Sequence, residues 1–572
     1  MADDLGRCWP RSRAATMAIA GIVGLALVLR VAGADFGLPA LNDPDELIFE
    51  LGSLRMLRSL SLNPAWFGHP GTTTMEVLAA VNVAVLGLGR ALGWFGDIKA
   101  FANAVYANPA WIILPGRIAM AAFGTAAVWQ TFRLAEELGE GRDEAALTRH
   151  AALAAAALVT IEPASVIWSQ VIRTDIMATF FMLLSMRAAL RAMRQGTLRD
   201  HVIAGLWLGV AVATKWPTGI AGVALIGAAA VRLAGGRSRL LPLAAHLAAC
   251  AVATVVGLLA VSPFIVLDFS TVVHNLHGEA QSHHLGATGG SLLYNLGWYA
   301  KGPILSGLGV IGSALALGGV WWLLRRRAGA IVLPVLAAFM ATICSQTLVW
   351  ERWVLPLVPL LAIAMGLGWA LLVAMARQRP TAVHFAAHLV LLAALLEPAL
   401  LMASRKIERA TDARQQATGW AMKHIPPGST VLVEHFGFDI LPQPWNLLFP
   451  FGAVGCVDVH DYLGGKIQYD TVDAGRGGRS NIDYGTLAPE KRGTCRADYA
   501  ILTQYDRYAA ERETFPQEYA AYRDLLARGR IVATFPAIPG KVGGWTTHVV
   551  ALDQPPPDKA PGDKASAAQR SR

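Results

Sequence analysis

The chain has 572 residues, 54% of them hydrophobic and 16% charged, well below the roughly 25% charged share of soluble proteins. That balance excludes an ordinary soluble enzyme, and apolar runs recur over roughly the first 400 positions, each of about 20 residues and long enough to cross a hydrocarbon core. The net charge of +9 does not point to nucleic acid, because the positive residues sit in short clusters between apolar runs, as in cytoplasmic loops.

In lipid a spanning backbone satisfies its own hydrogen bonds, so these runs are expected to be helices. Arg7, Arg11 and Arg13 precede an apolar stretch at 14–34. It is long for the h-region of a signal peptide and reads as the first anchor, with the N-terminus cytoplasmic. Arg133, Arg142 and Arg149 mark a second inner loop, followed by clusters at 191–199, 232–239, 325–327 and 377–379. Paired spans fit between them at 150–169 and 174–194, 201–214 and 217–232, 240–262 and 302–324, and 329–349 and 353–376. A last span at 382–403 exits to the outside. The early runs at 14–34, 73–92 and 112–132 break the parity of this threading. Either 73–92 does not fully cross, or a short helix returns through 94–111, and the total is about 11–13 spans. Lys215, Trp216 and Pro217 interrupt one pair and read as its outer turn, since the residue before proline resists helix.

The expected fold is therefore an all-α polytopic membrane domain over 1–403, with a first outer loop at 35–72 and an extracytoplasmic mixed α/β domain over 404–554. Strands are expected at 431–434, 499–503, 531–535 and 547–552, and a helix at 516–528. The tail 555–572, rich in Pro, Ala, Lys and Ser, is expected to be disordered. Cys250 and Cys344 fall in apolar spans as packing residues, whereas Cys456 and Cys495 could pair if their domain is extracytoplasmic.

This threading puts Asp45, Glu46, His69, Arg117, Arg173, Asp175, Lys215, Asp268, His283, His284 and Arg352 at outer ends or in outer loops. Ionisable groups at membrane depth are costly and tend to be functional. The adjacent Asp45 and Glu46 could deprotonate a hydroxyl acceptor or hold a divalent cation, or could simply open a solvated turn. Asp175 could instead cap its own helix. Arg117, Lys215 and Arg352 are candidate phosphate ligands, with snorkelling interface cations as the plain alternative. His274, His277, His283 and His284 crowd one loop with Glu279, a set able to hold zinc but without a recognised ligand spacing. Gly286, Gly289 and Gly290 would make that loop a mobile cover over the site.

The order of these segments resembles family 39 glycosyltransferases, the protein mannosyltransferase and aminoarabinose-transferase relatives with the GT-C membrane fold. The resemblance rests on Pro44-Asp45-Glu46 after the first span, Asn63 to Phe67, His69-Pro70 opening a helix, Pro115-Gly116-Arg117, Ser169 to Asp175, Gly209 to Gly219 with Lys215, Ser262-Pro263-Phe264 to Asp268, and Glu351-Arg352-Trp353. It implies a polyprenyl-phosphate sugar donor in the outer leaflet of the inner membrane and inverting transfer to a lipid, glycan or protein acceptor. By position it makes Asp45 the base, Glu46 its partner or a metal ligand, Asp175 the second acidic residue, and His69, His283 and His284 substrate or metal ligands. A divalent metal on Glu46 or His283 stays open. The Lys-Pro pattern of the aminoarabinose transferases is absent around His69, so the resemblance does not by itself imply lipid A as acceptor. Two rival readings are a secondary transporter, which would favour inverted repeats and polar residues at the midplane, and a non-catalytic scaffold of glycan assembly.

Overall fold

The computed structural model describes residues 13–377, 379–435, 437–463 and 483–553, leaving aside the side chains of Arg142 and Asp143. Arg7, Arg11 and the expected disordered tail lie outside the described residues. The chain divides into two compact units: the residues up to Phe36 with Asp43–Lys406, and Gly37–Asn42 with the residues from Ile407 onward.

The first unit is helical. In chain order it contains α1 (Arg13–Val31), α2 (Asp45–Ser59), α3 (Thr72–Ala91), α4 (Ile98–Ala107), α5 (Ala110–Glu136), α6 (Gly141–Ile161), the short α7 (Pro163–Trp168), α8 (Thr174–Gln195) and α9 (Leu198–Thr214). A 3-10 segment at Trp216–Gly222 runs into α10 (Val223–Ala234), followed by α11 (Leu240–Val261), α12 (Phe264–Leu267) and α13 (Phe269–Glu279). The unit closes with α14 (Leu292–Tyr299), α15 (Leu305–Leu324), α16 (Gly329–Cys344), α17 (Val358–Ala376) and α18 (Thr381–Ala410). Glycines let neighbouring backbones meet, as small residues do in membrane bundles. A Cβ on Gly209 of α9 would lie 2.1 Å from the Thr254 carbonyl oxygen of α11, and one on Gly368 of α17 would lie 1.8 Å from the Leu315 carbonyl oxygen of α15.

Ten helical segments are long and apolar enough to cross a membrane by length and composition. One of them, α3, does not run from end to end. Its first residues pair with the C-terminus of α9, where the Gly71 N–H donates to the Thr214 carbonyl at 3.2 Å. Just beyond its last turn, Trp94 and Phe95 pack on Trp111 in the first turn of α5. That end of α5 is also where Arg117 reaches the carbonyls of Ala34 and Phe36, just past α1. Both ends of α3 therefore lie at the end of the bundle where α1 finishes, and α3 does not cross. This resolves the parity conflict in favour of the first option. Setting α3 aside and adding the shorter α9 and α16 leaves eleven helices running between the two ends of the described bundle, within the expected range.

The arginine clusters collect at the opposite end. Arg187 grips Glu137 and Gln130, Arg194 reaches the Gly139 carbonyl, Arg232 the Met193 carbonyl, and Arg326 pairs with Glu144.

The second unit holds α19 (Ala413–His424) and a mixed six-stranded sheet in the order β3-β2-β1-β4-β6-β5. Its strands are β1 (Thr430–Val433), β2 (Asn446–Phe451), β3 (Gly455–Asp458), β4 (Tyr499–Leu502), β5 (Gly529–Phe535) and β6 (Thr547–Leu552). The short helices α20 (Val459–Leu463) and α21 (Tyr505–Ala510) and the longer α22 (Pro516–Leu526) complete it. β1 pairs in parallel with β2 and β4, and the remaining ladders are antiparallel. β2 and β3 were not expected from sequence. β2 carries Pro450, which argues against a central strand, but β1 pairs only with residues 446–448, so Pro450 lies beyond that ladder. Cys456 and Cys495 form a disulfide.

Candidate active site

The site forms at the α1-C-terminal end, where helix termini and connecting turns deliver charged side chains. The segment 69–71 runs beside 214–216: the Trp216 N–H donates to the His69 carbonyl at 2.8 Å, and Pro70 bridges to Lys215. The break at Lys215, which has extended φ/ψ between α9 and the 3-10 segment, thus sets its side chain beside His69. Lys215 forms an ion pair with Asp175 in the first turn of α8. Asp175 does not cap its own helix; its Oδ2 is buried and has no hydrogen-bond partner among the described residues.

Arg173, at the N-cap of α8, joins the two aspartates at the start of α2. Its Nη2 donates to Asp43 Oδ1 at 2.9 Å and its Nη1 is ion-paired with Asp45. Asp43 is half-buried, and the Asp45 side chain keeps 35% exposure. Arg352 enters on a 3-10 turn, Glu351–Val354, between α16 and α17, its guanidinium 4.4 Å from the Trp350 ring and 5.9 Å from that of Trp168. Its Nε, like Arg173 Nε and His69 Nδ1, is buried without a hydrogen-bond partner among the described residues. A buried polar atom without a partner costs free energy, so several around one place mark a ligand site.

Two further groups face the same cluster. Burial, reinforced by the cations of Lys215, Arg352 and Arg173, holds His69 well below its ordinary value, so its imidazole is neutral. Its ring packs 5.2 Å from Trp66 and 5.8 Å from Phe49. Glu279, at the end of α13, is raised by burial and by Asp45, against the pull of Arg352, Arg173 and Lys215. The stretch holding Glu279 is tied to the first outer loop, since Asp268 accepts from Asn63 at 3.1 Å and Asn275 from the Phe67 N–H at 2.9 Å.

Other expected site residues stand elsewhere. Glu46 and Arg117 are fully buried against each other, with Nε–Oε1 at 2.8 Å and Nη2–Oε2 at 2.6 Å. Arg117 spends Nη1 on the carbonyls of Ala34 and Phe36, and the Ile172 N–H donates to Glu46 at 3.0 Å. This arrangement corrects the expectation of Arg117 as a phosphate ligand and of Glu46 as a metal ligand: their polar atoms are committed to joining α1, α2, α5 and the turn before α8. His283 is exposed and bonds its neighbour Ser282, while the His284 ring packs edge-on against Trp350 at 4.8 Å. Neither shares a ligand group with Glu46 or Glu279. Among the described residues no group of three or more His, Cys, Asp or Glu side chains is arranged to hold a metal ion. Asp43 is not singled out by the sequence, Arg173 stands only among the outer-end polar groups, and Glu279 only as a companion of the loop histidines. The signal for the first two lay in their spacing, two residues before Asp45 and before Asp175.

Residues 142–277 match the family model of the dolichyl-phosphate-mannose-protein mannosyltransferases. The fold is similar to that of ArnT from Cupriavidus metallidurans in the apo state, with a TM-score of 0.50 and 16% identity over 94% of this chain and 98% of that one. ArnT from the same organism bound to undecaprenyl phosphate gives a TM-score of 0.49 at 15% identity, covering 94% and 98% of the two chains. The Archaeoglobus fulgidus oligosaccharyltransferase in complex with zinc and sulfate gives 0.47 at 12% identity, covering 90% and 71%. No curated protein matches the chain. The helical bundle with its added sheet unit has the fold of the multi-pass GT-C membrane glycosyltransferases, and the mannosyltransferase match falls within its membrane unit. Within that class its architecture is ArnT-like over nearly its whole length.

Proposed function

We propose that the chain moves a sugar from a polyprenyl-phosphate donor to an acceptor by a single inverting displacement. In this reading it lies in the inner membrane with a cytoplasmic N-terminus, and the site and the sheet unit are periplasmic. The carrying observation is the meeting of Asp43 and Asp45 with Arg173, beside the Lys215–Asp175 pair and Arg352, at one end of the bundle. The donor class is supported by the family matched over residues 142–277, whose description names dolichyl-phosphate mannose, itself a lipid-phosphate sugar.

The chemistry requires a base at the acceptor and positive charge on the departing phosphate. Asp45, the more exposed of the two carboxylates on Arg173, takes the proton of the acceptor hydroxyl as its oxygen bonds to the anomeric carbon. The bond from that carbon to the phosphate oxygen breaks, and the charge left on the phosphate is met by Lys215 and Arg352. Arginine offers a planar fork to phosphate and lysine a point charge. Asp175 holds Lys215, Arg173 holds the two aspartates, and neutral His69 with Trp66 lines the sugar side.

The test is release of free polyprenyl phosphate from labelled polyprenyl-phosphate sugars in membranes that carry the chain and supply acceptors. Asp45→Asn lowers release by about 10²–10⁴-fold, the usual worth of a general base, at unchanged protein abundance. Lys215→Ala and Arg352→Ala raise the KM for donor. Normal turnover by Asp45→Asn rejects the assigned base.

A further inference from the structure

The opposite end of the bundle carries a basic cavity, remote in the fold from the site above. It measures about 510 Å³ and lies between α6, α15 and α17, a size suited to a small-molecule group. Arg325, Arg326, Arg377, Glu144 and His150 supply its polar lining. Glu144 is taken up by Arg326 at 3.0 Å. Arg325 spends one N–H at 3.4 Å on the Trp321 carbonyl, and among the described residues no carboxylate pairs with Arg325 or Arg377. Two guanidinium groups are thus left to face the same space. Part of their charge is offset by the carbonyl ends of α15 and α17, at whose C-caps they sit, yet a planar fork still prefers an oxyanion.

The cavity is also joined to an apolar path. Val310, Leu317, Trp321 and Leu324 of α15 are 63%, 72%, 51% and 70% exposed. Their spacing of seven, four and three residues puts them on one face of α15, because such positions stack along a helix. That stripe runs along the bundle to the cavity mouth, where the Arg325 guanidinium lies 3.9 Å from the Trp321 ring. Tryptophan at such a border, beside arginine, is the composition of a headgroup level. We infer that this cavity binds the phosphate of an anionic membrane phospholipid, with one acyl chain lying along the exposed face of α15. Basic recesses between transmembrane helices bind such headgroups through the same charge complementarity.

The experiment is native mass spectrometry of the full-length chain in detergent, titrated with phosphatidylglycerol or with phosphatidylcholine of matched chains. Phosphatidylglycerol adducts are expected to exceed phosphatidylcholine adducts by about tenfold, and Arg325→Gln with Arg377→Gln is expected to remove that preference. Both side chains are exposed, so the double variant is expected to fold, and its unchanged elution is the check. Arg239→Gln, an exposed arginine at the same end that does not line the cavity, is expected to leave the preference intact. Equal loss with Arg239→Gln would mean diffuse surface charge and overturn the assignment. So would displacement of the lipid by millimolar inorganic phosphate, or equal retention of the two lipids by the unmodified chain.

Discussion

Arg117 makes four N–H···O bonds, two to Glu46 and one each to the Ala34 and Phe36 carbonyls. A charge so enclosed depends on its partner. Glu46→Gln is expected to cost about 3–5 kcal/mol, because it leaves a buried guanidinium without its counter-charge. Glu46→Gln combined with Arg117→Met should recover much of that loss, and thermal unfolding in detergent measures both. The contrast with Asp45 explains what was legible at this scale. A carboxylate at a helix start and an arginine in an apolar run were both visible as unusual, but sequence does not say whether an arginine's donors are already filled. For Arg117 they are filled by carbonyls at the end of α1, which no motif announces. For Arg173 the fork is shared by two aspartates, and Asp43 was hidden because Asn42-Asp43-Pro44 reads as ordinary turn chemistry.

Among the elements, α3 shows how hydrophobic length misleads. Its 20 residues would span a bilayer, yet both ends meet groups at the same end of the bundle. Single cysteines replacing Leu60 and Leu92, both exposed, are expected to react with a membrane-impermeant maleimide from the same face; labelling from opposite faces would make α3 a crossing helix. In the sheet unit, Glu434 and Asp483 are buried together among Tyr484, Tyr508 and Tyr522. Burial raises both, and the charge of Asp483 adds to the rise of Glu434, to about 7. Glu434 accepts from three backbone N–H groups, of Tyr484, Thr503 and Gln504, so it suits the ionised form. The Asp483 Oδ2 meets only the Tyr508 hydroxyl, which can turn to accept, so the retained proton belongs on Asp483. The folded state then binds more protons than the unfolded one. Its stability is fullest below the ordinary carboxylate range and falls as pH rises through the raised titration of Asp483. Asp483→Asn, which keeps a donor toward Tyr508, is expected to flatten that fall and leave the unit more stable at pH 8 than the unmodified chain. Hydrogen exchange of the sheet amides in the full-length protein, compared between the two at each pH, is the measurement. Four strands were legible from alternating apolar runs between turns. β2 was not, because a proline usually forbids an inner ladder and only the short reach of β1 permits it here.

For the molecule as a whole, the alternation of arginine clusters and polar loops was enough to place the charged site at one end and the clusters at the other. The helix count within a range was legible too, and the second unit was expected from 404, close to the division after Lys406 inside α18, whereas the membership of Gly37–Asn42 in that unit was not legible. The Cys456–Cys495 bond ties β3 to the turn before β4 across a sequence separation of 39. Replacing both cysteines with serine is expected to cost about 2–5 kcal/mol, read as faster protease cleavage within the sheet unit. Such a bond is made where thiols are oxidised. Biosynthesis of this enzyme therefore has a late step that the ribosome and the insertion machinery do not complete: the sheet is sealed only once a thiol oxidant reaches it. Without that oxidant the sheet unit would stay unsealed and protease-prone.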